Sequence, residues 1–229
     1  MEASTTGGSP DRRWMILVGF AVVAAIVVGA ILIGRSSGDD GNGTAGAEGC
    51  KQVPEPKPKQ VSFAKPKQTV KRGEEVSARI ETSCGDFTIA LDSERAPKTV
   101  NSFVFLSEEG FYDGLSFHRI VPGFVIQGGD PLGNGTGGPG YSVDEKPPAN
   151  LAYTKGVVAM AKSSAEPPGR SGSQFYVVTG ADAGLPPEYA LVGKVSEGMD
   201  VVERIGKLGT PSEKPKQPVI IEHAVIERP

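Results

Sequence analysis

Residues 117–131, FHRIVPGFVIQGGDP, constrain the fold more than any other stretch. Pro122-Gly123 interrupts an apolar run made of Ile120, Val121, Phe124, Val125 and Ile126, so the segment must turn and cannot be a helix. Val125 and Ile126 are β-formers and predict a strand that ends in a glycine turn. Out of this apolar background emerge one cation, Arg119, and one amide, Gln127. Apolar walls with a few placed polar groups are the composition of a small concave binding site.

The surrounding sequence offers a β-rich frame for that site. Val76, Ala78 and Ile80 alternate with polar residues, 82–86 reads as a hairpin turn, and Phe87, Ile89 and Leu91 alternate on the return. Ala96-Pro97 opens a helix with apolar face Val100, Phe103, Val104 and Leu106, and Gly110 stops it. Short apolar strands are expected at 156–161, 173–178, 189–195 and 219–226, and a second helix at 199–208. The 31 glycines and 19 prolines imply many turns and little further helix. Many short strands with two helices suggest a closed barrel capped by helices.

The first part of the chain is different. Residues 1–13 are small and polar and form an N-terminal tail. Residues 14–33, WMILVGFAVVAAIVVGAILI, are twenty residues without a charge. As a helix they would span roughly 30 Å, the thickness of a bilayer core. A cleaved signal peptide is the alternative, but its apolar region is usually about 7–15 residues. Arg12 and Arg13 before the run, against Arg35, Asp39 and Asp40 after it, favour a cytoplasmic N-terminus. The expectation is a single-pass protein of the cell membrane, held in the bilayer by 14–33, with the rest outside the cytoplasm. Residues 34–75 read as a linker, first a flexible Gly/Ser tract and then a Pro- and Lys-rich solvated spacer. A folded domain from 76 to 229 follows.

A net charge of −3 gives no argument for a nucleic-acid partner. Two cysteines without CxxC spacing and two histidines make a Cys/His zinc site unexpected. Outside the membrane, Cys50 and Cys84 can form a disulfide that closes a loop of about 34 residues, adding about 3–4 kcal/mol on the entropic account. Two free thiols are the alternative. His118 beside Arg119 has no carboxylate or nucleophile placed to partner it and reads as core. Gly133, Gly135 and Gly138 fit a dinucleotide fingerprint in spacing, but Pro139-Gly140 follows where a helix should begin.

Four blocks, FHRIVPGFVIQGGDP, NGTGG, SGSQFYV and LVGKVSEGMDVV, occur in order between about 76 and 226. Together they resemble the cyclophilin family of peptidyl-prolyl cis-trans isomerases. The resemblance implies an eight-stranded antiparallel β-barrel with two capping helices, no cofactor, and proline-containing peptide segments as partners; a monomer is expected. It also implies that Arg119, Phe124 and Gln127 carry catalysis. Val125, Gly135, Ala161, Lys162, Ser163, Gln174, Tyr176, Leu185 and Tyr189 would line the substrate site. Lys162 and Ser163 depart from the family's Asn-Ala, Tyr176 from its Phe, and Tyr189 from its His. The loop from 163 to 172 is longer than usual and carries Pro167-Pro168.

These residue types suit rotation about an X-Pro bond. Amide resonance opposes it with a barrier of about 18–20 kcal/mol. Twisting returns a lone pair to the prolyl nitrogen, where a cation stabilises the twisted state more than the planar one. Arg119 is always charged, Phe124 and its apolar neighbours can hold the ring, and Gln127 can hold a peptide carbonyl. The rival expectation is a cell-envelope chaperone or adaptor of the same shape that grips proline segments without turnover.

Overall fold

The computed structural model describes residues 49–229. The tail, the apolar run 14–33 and the Gly/Ser part of the linker lie outside these residues. Among the described residues no helix is long and apolar enough to cross a membrane.

Among the described residues ten strands and two helices follow one another: β1 (Ser77–Thr82), β2 (Gly85–Leu91), α1 (Pro97–Glu108), β3 (Arg119–Val121), β4 (Val125–Gly128), β5 (Val143–Asp144), β6 (Val157–Met160), β7 (Arg170–Ser171), β8 (Phe175–Val178), β9 (Leu191–Glu197), α2 (Met199–Gly206) and β10 (Ile221–Glu227). Eight strands form one antiparallel sheet in the order β10-β1-β2-β9-β6-β8-β4-β3, and β5 pairs with β7 separately. The period-two pattern that predicted β1 and β2 puts Ala78, Ile80, Phe87 and Ile89 in the core. Pro97 opens α1, and Gly110 follows the helix at φ 65°. Val100, Phe103, Val104 and Leu106 are fully buried. Phe103 then meets Tyr112 and Phe175 at ring distances of 5.1 and 5.5 Å.

The expected closed barrel is corrected. The sheet is open, with β10 and β3 at its two edges. β3 has three residues, and the chain before it runs through turns at Gly110 and Gly114, so too little strand remains to form a ladder with β10. One isolated bridge, Ser116 to Ile220, spans the gap, with Phe117 N–H donating to Val219 O at 2.9 Å and Ile221 N–H to Leu115 O at 2.8 Å.

Residues 52–71 have almost no regular secondary structure, as the Pro- and Lys-rich sequence implies, but they are not a free spacer. They lie on the domain as a strap. Cys50 is disulfide-bonded to Cys84. Lys59 N–H donates to Pro131 O and Phe63 N–H to Pro139 O, both at 2.8 Å. Phe63 packs edge-on to Phe105 at 5.3 Å. Asn101 on α1 accepts the N–H groups of Thr69 (2.7 Å) and Val70 (3.1 Å) and donates to Lys67 O (2.8 Å).

Candidate active site

Strand register gathers the predicted residues into one row. Arg119 on β3 faces Gln127 on β4, Gln127 faces Tyr176 on β8, and Tyr176 faces Ala159 on β6. Directly opposed residues share a sheet face, so these side chains emerge side by side. Pro122 and Gly123 (φ 70°) form the turn that makes this possible, closed by Phe124 N–H donating to Val121 O at 3.0 Å.

A continuous polar line runs along the row. Arg119 Nε donates to Glu213 Oε2 at 2.7 Å and Arg119 Nη1 to Gln127 Oε1 at 3.3 Å. Gln127 Nε2 donates to Gln174 Oε1 at 3.0 Å, and Gln174 Nε2 to the carbonyls of Gly135 and Gly137, each at 3.0 Å. The Arg119 side chain remains 35% exposed, so a ligand can reach a guanidinium whose direction is already set. The glycine loop is itself anchored. Asp130, 1% exposed, accepts the N–H groups of Leu132 (2.8 Å), Asn134 (2.9 Å) and Gly135. A Cβ at Gly137 would run into that carboxylate, which is why a glycine stands there.

The apolar side is aromatic. Phe124 is half-buried at the hairpin turn, with its carbonyl accepting Thr179 N–H at 2.9 Å. Val125, two residues from Gln127 on the same strand face, is only 2% exposed and serves chiefly as packing. Tyr153, Tyr176 and Tyr189 form a three-ring cluster with centroids 5.7–6.2 Å apart. The Tyr153 hydroxyl donates to Tyr189 O at 2.6 Å and accepts Tyr189 N–H at 2.9 Å. Burial pushes its pKa up to about 12. Burial also raises the Tyr176 pKa, and its hydroxyl meets no hydrogen-bond partner among the described residues. Leu185 is half-buried nearby in sequence and packs on the core.

Lys162 is less available than its place in the motif suggests. Its side chain is 5% exposed, its ammonium pairs with Glu188 at 3.2 Å and donates to Glu166 O at 3.2 Å, and it sits 5.4 Å from the Tyr189 ring centre. Ala161 N–H donates to Gln174 O at 2.8 Å, and Ser163 N–H to Glu166 Oε2 at 2.7 Å.

A cavity of about 1150 Å³ adjoins the row. Of the predicted residues it takes in Gln127, Gly135, Ala161, Lys162, Ser163 and Gln174, while Arg119, Phe124, Val125, Tyr176, Leu185 and Tyr189 are not part of its lining. Its far wall is the strap, through Lys59, Gln60, Val61 and Ser62. Sequence reasoning missed this wall and also missed Glu213. Neither carries a signal in the sequence: the strap reads as spacer and Glu213 as one residue of a polar turn.

Fold and site together define a peptide-binding β protein: a cation and two amides fixed in line beside an aromatic cluster, able to hold peptide groups and an apolar ring. Comparison with known proteins makes the class specific. The family model for cyclophilin-type peptidyl-prolyl cis-trans isomerases matches residues 77–226. Peptidyl-prolyl cis-trans isomerase B of Streptomyces anulatus is 38% identical over 174 residues, 67% of this chain and 98% of its own length. Peptidyl-prolyl cis-trans isomerase A of Mycobacterium tuberculosis is 38% identical over 169 residues, covering 66% of this chain and 91% of its own. A Cryptosporidium parvum cyclophilin-type isomerase, crystallised in the presence of the dipeptide Ala-Pro, superposes with a TM-score of 0.62 at 34% identity, over 67% of this chain and 99% of its own. The chain belongs to the cyclophilin-type peptidyl-prolyl cis-trans isomerases, and it is an enzyme of that type.

Proposed function

We propose that this isomerase is held at the cell membrane by residues 14–33, with a cytoplasmic N-terminus, and turns X-Pro bonds of exported proteins outside the cytoplasm. Arg119 stabilises the lone pair that returns to the prolyl nitrogen as the bond twists. Gln127 holds the neighbouring peptide carbonyl, and Phe124 with the aromatic cluster receives the proline ring. The observation that carries this reading is the Arg119–Gln127–Gln174 line, a cation and amides fixed in one row. A disulfide between Cys50 and Cys84 supports an oxidising compartment.

A coupled isomerisation assay on a proline peptide with the full-length protein tests the chemistry. Removing the cation with Arg119→Ala is expected to lower kcat/KM by about 10²–10³, the scale for loss of one fixed electrostatic group; parent-like activity would remove Arg119 from the mechanism. Retention in membranes after a high-salt wash, with the domain open to protease added from outside, tests the location; recovery in the soluble fraction would overturn it.

A further inference from the structure

We propose that Glu213 is a positioning residue, one that fixes the direction in which the Arg119 guanidinium meets the prolyl bond; this rests on the role given to Arg119 above. Glu213 is the one non-glycine residue with positive φ (62°) among the described residues. That backbone region is costly for a residue with a Cβ and costs glycine nothing, so something other than chain geometry accounts for a glutamate there. Observed strain of this kind points to function.

The residue grips β3 twice. Its carbonyl accepts Ile120 N–H at 2.7 Å, and its carboxylate accepts Arg119 Nε at 2.7 Å. The turn that presents it is tied to itself, with Glu213 N–H donating to Thr210 O at 2.9 Å and Thr210 N–H to Lys214 O at 3.0 Å. A guanidinium is a rigid planar fork of five donors. With Nε on Glu213 and Nη1 on Gln127, its plane is fixed at two points, and the remaining Nη donors are left for a ligand. The Glu213 side chain is 51% exposed, and an ion pair so open to water adds little to stability. Its value is therefore orientation. Arg119 also lowers the Glu213 pKa, keeping the carboxylate charged at neutral pH.

The test compares the full-length parent with Glu213→Gly, Glu213→Gln and Arg119→Ala. Glycine relieves the backbone and removes the carboxylate, so stability and positioning separate in one variant. Expected for Glu213→Gly are a melting temperature equal to or above the parent, a kcat lowered about tenfold and a KM near the parent value. Glu213→Gln keeps an acceptor oxygen for Nε and is expected to recover most of the kcat. The inference is overturned if Glu213→Gly keeps the parent kcat while Arg119→Ala is inactive. A loss seen only in KM, or one matching a loss of folded protein, also overturns it. Full activity in Arg119→Ala would instead bring down the role of Arg119 itself.

Discussion

Gln127 and Gln174 are joined amide to amide across β4 and the start of β8, Gln127 Nε2 donating to Gln174 Oε1 at 3.0 Å. Gln174 spends its own donors on Gly135 O and Gly137 O, so the glycine loop and the arginine row are one connected network. Gln174→Leu keeps the bulk and cuts all three bonds. Only the bond to Gln127 reaches the arginine row, so at about 1 kcal/mol per net hydrogen bond kcat/KM is expected to fall about fivefold. Amide hydrogen exchange at 133–138 should speed up alongside. Unchanged kinetics with a loosened loop would show that the loop and the arginine row act independently.

The hydroxyl of Tyr176 is buried and makes no hydrogen bond among the described residues, while its ring packs 5.7 Å from Tyr189 and 6.2 Å from Tyr153. An unpaired buried hydroxyl costs about 1–3 kcal/mol. Tyr176→Phe keeps the ring and removes the penalty, so the variant should unfold at higher denaturant by about 1 kcal/mol with activity retained. A loss of stability would mean that the hydroxyl has a partner.

The alternation in 76–91 and the capped amphipathic pattern of 96–110 were legible because each element buries one face, and that repeats at two or 3.6 residues. Arg119 and Gln127, expected in one contiguous block, are paired across β3 and β4 because that block folds as a hairpin. What escaped has no period. β5 and β7 are two residues each and exist only by pairing. The strap has the same proline-rich sequence whether free or docked; it is held by Asn101, about 30 residues away, and by a covalent bond. Val125 looked like a ring contact from its place in the motif, yet a strand with cover on both faces buries it. The barrel looked closed because strand count says nothing about whether the edge strands are long enough to pair.

His118 supplies a pH prediction. Burial lowers its pKa below the ordinary histidine value, Arg119 adds to the effect, and Asp130 and the Ser116 backbone oppose it. The folded state therefore holds the neutral ring, while the unfolded chain takes up the proton first as pH falls. The contribution is complete above about pH 6.5 and is lost as pH drops through the folded pKa, with a slope of at most about 1.4 kcal/mol per pH unit. Chemical denaturation of the parent and of His118→Phe between pH 7.5 and 5 checks this: the difference between them should grow in the parent's disfavour on acidification. A constant difference would place His118 in a site where both protonation states are equally accepted.

Two of the strap's fastenings, the Asn101 hydrogen bonds and the disulfide, can be released separately. Asn101 holds the Thr69 and Val70 N–H groups with one carboxamide oxygen, so Asn101→Ala strands two donors. The expected cost is about 1–3 kcal/mol. Replacing Cys50 and Cys84 by serine removes a cross-link between residues 34 apart and is expected to cost about 4 kcal/mol on the loop-entropy account. Because both changes act on one segment, the combined variant should lose less than the sum of the two. Trypsin reports the release directly. Lys57 and Lys65 precede prolines, which leaves Lys59, Lys67 and Lys71 as the cleavable strap sites. Lys59 is fastened by its ammonium to Asp113 O and by its N–H to Pro131 O, so the parent should resist cutting there. The serine variant, or the parent under reducing agent, should be cut at Lys59 while the domain stays folded. Equal resistance in both forms would mean that the backbone contacts at Pro131 and Pro139 hold the strap, and with it the far wall of the cavity, without help from the disulfide.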